Sequence, residues 1–121
     1  MSNLHHRGLF VPANPFEPCR YIFGSFNDMR NDLNCTLLEF VYVWRPHAAL
    51  PADKRFVFIG DEEARLKNEF ELNPRATWLA GYDYLLAGDM VLFEDNDADI
   101  KSVDDDLLAK LTKAIIHKGA Y

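Results

Sequence analysis

Apolar and polar positions alternate along this chain in short blocks, and the blocks predict strands in five places and helices in three. The densest block is residues 35–45, Cys-Thr-Leu-Leu-Glu-Phe-Val-Tyr-Val-Trp-Arg, with three β-branched and three aromatic residues around one acid. That composition reads as the central strand of a sheet. Its even positions Leu38, Phe40, Tyr42 and Trp44 make one apolar face, and Leu37, Val41 and Val43 make a second that Glu39 interrupts. A strand apolar on both sides is expected to be covered on both.

Around it the pattern is shorter. Arg20 to Gly24 predicts a strand, and Ser25 followed by Asp28 predicts a capped helix over 26–33 carrying Phe26, Met29 and Leu33 on one side. Residues 54–59, with Phe56-Val57-Phe58-Ile59, predict a hairpin neighbour for the central strand. Gly60 and Asp61 then open a predicted helix in which Glu63 lies i,i+4 to Lys67 and Leu66 i,i+4 to Phe70, ending before Asn73-Pro74. Residues 77–86 and 90–94 flank Ala87-Gly88-Asp89 and read as a β-hairpin; a 3.6 period through Trp78, Leu79, Tyr82, Leu85 and Leu86 supports a competing helix. The last helix starts at a Ser102 cap with Asp105 at its third position and carries Val103, Leu107, Leu108, Leu111, Ala114 and Ile115 in one stripe.

The expected class is therefore α+β, a mostly antiparallel sheet of about five strands with three helices in the order β-α-β-β-α-β-β-α. Its first six elements match a ferredoxin-like split βαβ arrangement at the level of fold analogy alone. Residues 1–18, broken by Pro12, Pro15, Pro18 and Gly8, are expected as an extended arm packed on the body through Leu9, Phe10, Val11 and Phe16, with 19–121 as a single α+β domain.

Charge narrows the function classes. Nineteen acids against thirteen Lys and Arg in 121 residues give a formal charge of -6, which disfavours direct binding to nucleic-acid phosphates and favours a partner protein with a basic surface. No apolar run approaches the length of a membrane span, so no membrane partner is expected and a cytoplasmic location is. Cys19 and Cys35 read as two thiols, with a disulfide or redox pair as the alternative.

Candidate chemistry is sparse. No nucleophile elbow, glycine-rich phosphate loop or histidine-centred site is present, and no cofactor or metal is implied. Asp95, Asp97 and Asp99 with Asp106 imitate the ligand spacing of a calcium loop, but Ile100 stands where the sharp turn needs glycine. Acid is concentrated at Glu94, Asp95, Asp97, Asp99, Asp104 and Asp105, relieved only by Lys101. This run is the expected partner-binding surface, presenting carboxylates to a basic protein. The leading expectation is thus a small acidic protein-binding module that recognises or inhibits its partner, as toxin-neutralising and phage-encoded inhibitor proteins do, and not an enzyme. The alternative is a dimeric small-molecule-binding protein or enzyme with a pocket on an aromatic sheet face, built from Glu39, Tyr42, Trp44, Trp78, Tyr82 and Asp83, where Glu39 and Asp83 act as polar anchors or an acid–base pair.

Overall fold

The computed structural model describes residues 4–43, 50, 51, 53–67, 70–81, 85–97 and 99–118, with backbone alone over 114–118. Trp44, Tyr82 and Asp83 of the proposed ligand site lie outside the described residues, as do Arg45, His47 and Tyr84. Eight strands and three α-helices follow in the order β1 (His6–Val11), β2 (Arg20–Gly24), α1 (Met29–Asp32), β3 (Leu38–Tyr42), β4 (Phe56–Asp61), β5 (Leu72–Asn73), α2 (Pro74–Ala80), β6 (Leu86–Ala87), β7 (Met90–Asp95), β8 (Ile100–Lys101) and α3 (Asp105–Lys118). Single 3-10 turns stand at Phe26–Asp28 and Ala64–Leu66.

The α+β class and the mainly antiparallel sheet hold, and the strand count is larger than expected. Five strands run in the order β2-β1-β7-β4-β3, β8 pairs with the end of β7, and β5 with β6 forms a separate two-stranded ladder. Every pairing is antiparallel. A split βαβ unit joins parallel strands through a crossover, so the described pairings do not reproduce a ferredoxin-like order.

Two expectations about position are corrected. The stretch around Leu38–Tyr42 is an edge strand, paired only with β4 among the described residues; the centre belongs to β7, held between β1 and β4. The apolar part of the first eighteen residues lies in the plane of the sheet as β1, rather than over one of its faces. There Gly8 crosses β7 so closely that a Cβ would meet the Leu92 carbonyl oxygen and Phe93 Cε1, each at 2.7 Å.

Strand alternation sorts side chains onto two faces. Leu9, Val11, Phe56, Phe58, Met90 and Leu92 point to one, where Leu79 of α2, Leu108 and Leu111 of α3 and Val103 just before α3 cover them. Phe10, Val57, Ile59, Val91 and Phe93 point to the other, under Met29 and Leu33. The middle strands are therefore buried on both sides.

Local chemistry explains three further departures. Residues 74–80 are a helix rather than a strand: Asn73 Oδ1 accepts from the Ala76 N–H at 3.1 Å, Pro74 sits at the first helical position, and Gly81 closes the helix at φ 77°. The hairpin expected between 77–86 and 90–94 is thereby excluded, and β7 pairs with β1 and β4 instead. The helix expected after Gly60 shrinks to one 3-10 turn, because Gly60 and Asp61 continue β4, and Leu66 and Phe70 stay 79% and 42% exposed with no core to pack on. The final helix starts at Asp105, while Ser102 Oγ accepts from the Arg7 N–H at 2.9 Å, tying the chain after β8 to β1.

Ser25 and Asp28 do meet as the sequence suggests, the Ser25 N–H and hydroxyl both donating to Asp28 Oδ2 at 2.9 and 3.0 Å. The loop after β1 is fixed from α2: the buried Arg75 guanidinium donates to the carbonyls of Glu17, Pro12 and Asn14 at 2.8, 2.7 and 2.8 Å.

Candidate functional site

At the β3 edge, β4 faces β3 with Gly60 directly opposite Glu39 and Asp61 opposite Leu38. Because Gly60 has no side chain, nothing from β4 fills the space beside Glu39. Met90 enters from below, its Cε 3.0 Å from where a Gly60 Cβ would stand. Beside Met90 lies an open pocket of about 240 Å³ whose walls include Val41, Ala64, Leu86, Ala87 and Met90, with Glu39, Asp61, Glu62 and Arg65 as its charged members.

Alternation places Glu39 and Glu62 on the same side of this hairpin as diagonal neighbours, and the Glu62 N–H donates to the Leu37 carbonyl at 3.0 Å to extend the ladder. Partial burial, then the negative charges of Glu62 and Asp61, raise the Glu39 carboxyl above the ordinary glutamate range, with Arg65 opposing. Arg65 is also engaged elsewhere, donating to the Leu85 carbonyl. Asp61 is buried and already satisfied: Oδ1 accepts from the Glu63 N–H at 2.9 Å, and Oδ2 pairs with Lys67 at 2.7 Å. Glu39 and Glu62 are thus the pair whose charge is available to a ligand.

Of the described members of the proposed aromatic site, Glu39, Tyr42 and Trp78, only Glu39 lies at this pocket. Tyr42 is opposite Val57, on the face of the second core, where it meets Phe40 edge-on at 6.3 Å. Trp78 packs from α2 against the first core, on the other side of the sheet. The described aromatics therefore do not assemble into one platform. Two other arginines have contacts of their own: Arg75 donates to backbone carbonyls, and Arg20 lies over the Phe10 ring at 4.0 Å.

The acidic run is threaded with cations brought from distant positions. Arg55 pairs with Asp97 at 2.7 Å and Asp95 at 3.8 Å, Lys101 with Glu94 at 3.8 Å, Lys54 with Asp104 at 2.8 Å, and Arg7 with Asp105 at 3.1 Å. Asp99 turns inward on its own loop, accepting from the Ile100 N–H at 2.8 Å. The hollow beside Asp104, Asp105 and Asp106 is lined by Lys54 and Lys110 as well. Between β7 and β8, Asn96 and Asp99 exchange backbone hydrogen bonds that close the hairpin.

Among the described residues no three His, Cys, Asp or Glu side chains are grouped to hold a metal ion, and no helix is long and apolar enough to cross a membrane. Both cysteines are free thiols. Burial pushes Cys19 up against the opposing charge of Arg75, and Cys35 is likewise raised, first by burial and then by Asp61. Neither is an activated nucleophile.

Sequence reasoning found Glu39 but missed Glu62, Gly60 and Arg65 as its companions. The signal was present in Gly60, a residue lacking a side chain inside an apolar strand, which marks a close approach or an opening. Comparison with known proteins yields no matching family model, no matching curated protein and no matching solved structure.

Proposed function

We propose that this protein is a small cytoplasmic protein-binding module that takes a basic segment of a partner protein along the β3 edge and thereby blocks it. The observation that carries the reading is the pairing of Glu39 and Glu62 over an apolar floor, directly beside a strand whose outer edge has no partner among the described residues. An open edge offers backbone hydrogen bonds to an added strand, and a pocket beside it selects a side chain. Carboxylates above Val41, Leu86 and Met90 suit a lysine or arginine, whose methylene stem packs on the floor while its cation meets the acids. The run from Glu94 to Asp105, partly neutralised by its own cations, then contributes long-range attraction rather than the contact itself.

The test is fluorescence anisotropy with a labelled alternating Val-Lys octapeptide and its Val-Glu counterpart. The lysine peptide is expected to bind, to weaken at high salt, and to lose at least about tenfold in affinity to a Glu39→Gln, Glu62→Gln variant, a difference of about 1.4 kcal/mol. Equal binding by the variant, or by the Val-Glu peptide, would remove the pocket from the account. A second reading, a small-molecule site with Glu39 as proton donor or anchor, is supported by the raised Glu39 carboxyl. It requires binding of free amines in the absence of any peptide strand.

A further inference from the structure

The opposite edge of the sheet carries a different chemistry. Strand β2 pairs only with β1 among the described residues, which leaves its outer side from Arg20 to Phe23 without a strand, while Gly24 at its end is buried beside Met29 and Asp32. Its side chains include Tyr21 and Phe23, 55% and 67% exposed, both on the α3 side of the sheet because they stand opposite Leu9 and Arg7. Arg20, Ile22 and Gly24 face the other way.

We infer that β2 is a self-complementary edge that pairs antiparallel with β2 of a second copy of this chain about a two-fold axis through Ile22, joined by Arg20 of each copy to Asp32 of the other. The register follows from geometry. A two-fold axis perpendicular to a sheet keeps each side chain on its own face, so a residue must fall opposite its own copy. Among the strand's five residues only Ile22 at the centre pairs all five.

With that register Tyr21 stands opposite Phe23 of the other copy, twice, giving two aromatic cross-strand pairs on one face. On the other face Arg20 stands opposite Gly24. Gly24 has no side chain; the position its Cβ would take is met first by Met29 Cε at 3.1 Å, and the Asp32 carboxylate borders it, with Oδ2 at 3.6 Å. An arginine arriving opposite Gly24 therefore meets a carboxylate within the span of its side chain. Asp32 has no described cation at ion-pair distance within its own chain; burial and then Asp28 hold its carboxyl above the ordinary range, with the more distant Arg20 of the same chain opposing. Arg20, lying over Phe10, is exposed and turned toward the same face.

The β3 edge lacks this complementarity. A two-fold about Phe40 would make Glu39 and its copy diagonal neighbours on one face, with Glu62 of each chain beside them, and like charges so placed repel. The two edges thus divide the work: β2 for a second copy, β3 for the basic partner. The inference does not depend on the β3 reading, because no residue is shared.

Five residues a side with two aromatic pairs lie at the small end of specific interfaces, so dimerisation falls in the micromolar range, about 1 to 100 μM. Sedimentation velocity from about 1 to 500 μM reads it, using the full chain and two charge variants, Arg20→Glu and Asp32→Lys. Wild type is expected to pass from monomer to dimer across that range. Each variant alone, left with two acids or two bases facing, is expected to dimerise at least about tenfold more weakly, while an equimolar mixture recovers wild-type affinity because acid then meets base at both ends. Amide exchange is the second readout: protection in residues 20–24 should rise with concentration in wild type. A wild type that stays monomeric at 500 μM overturns the inference. So does a dimer unaffected by either variant, a mixture no tighter than its components, or exchange in 20–24 independent of concentration.

Discussion

Replacing Arg75 by Met removes the one buried cation that holds the loop after β1. Arg75 is 4% exposed and its three guanidinium hydrogen bonds all end on neutral backbone carbonyls of residues 12, 14 and 17, while Nε has no partner among the described residues. Hydrogen bonds from a charged donor contribute about 1.5 to 3 kcal/mol each, so three would give a loss above 4 kcal/mol if nothing opposed it. Two terms do. Met avoids several kcal/mol of guanidinium desolvation, and part of the loop can turn its carbonyls to water. The expected net loss is about 2 to 4 kcal/mol, or roughly 10 °C in Tm for a chain of this length. Arg75→Lys keeps the charge but has no planar fork to span three carbonyls, and it should recover no more than half of the loss. Urea unfolding followed by tryptophan fluorescence gives the free energy, and amide exchange over residues 12–17 tests the location. A loss below about 1 kcal/mol, or unchanged exchange in that loop, would mean that guanidinium burial offsets its bonds and that the loop is held by its own turns.

Two other perturbations probe the sheet and the pocket. Gly8→Ala sets a Cβ 2.7 Å from a β7 backbone oxygen, so strands rather than a flexible side chain must move; a loss of about 2 to 3 kcal/mol in urea unfolding is expected, and a change under about 0.5 kcal/mol would show that β1 slides freely. Glu39 tests linkage: a carboxyl held above its unfolded pKa contributes its stability below the ordinary glutamate range and loses it as pH rises through the folded value. Glu39→Gln should therefore raise Tm at pH 7 and leave it unchanged near pH 3, and a variant less stable than wild type at pH 7 would contradict the carboxylate crowding.

How much of this was legible depended on whether the signal was local. The parity of the strands was: Leu38, Phe40 and Tyr42 share a face and Glu39 and Val41 the other, as their alternation requires. The Ser25–Asp28 pair and the body of α3 follow from capping and the 3.6 period. Residues 77–86 were ambiguous because Trp78, Leu79 and Tyr82 fit two periods. The deciding marks, Asn73-Pro74 as a start and Gly81 as a stop, are present in the sequence, but Asn73-Pro74 reads equally as the end of the preceding segment and Gly81 equally as a mark against a helix. The segment after Gly60 erred the other way: Glu63–Lys67 and Leu66–Phe70 spacing favours a helix locally, but an isolated turn without a face to bury does not propagate.

The sequence by itself determined the α+β class, the two-sided apolar character of the strands, the final helix and the acidic balance, because each is written in the spacing or composition of neighbouring residues. Tertiary structure alone decided that β7 rather than β3 is central, that β1 lies in the sheet, that Arg55 and Lys54 thread the acidic run, and that Glu39 and Glu62 share a pocket with Met90. Backbone hydrogen bonds are the same for every strand, so strand order carries no local mark. It is set by which apolar faces close together once the whole chain has collapsed.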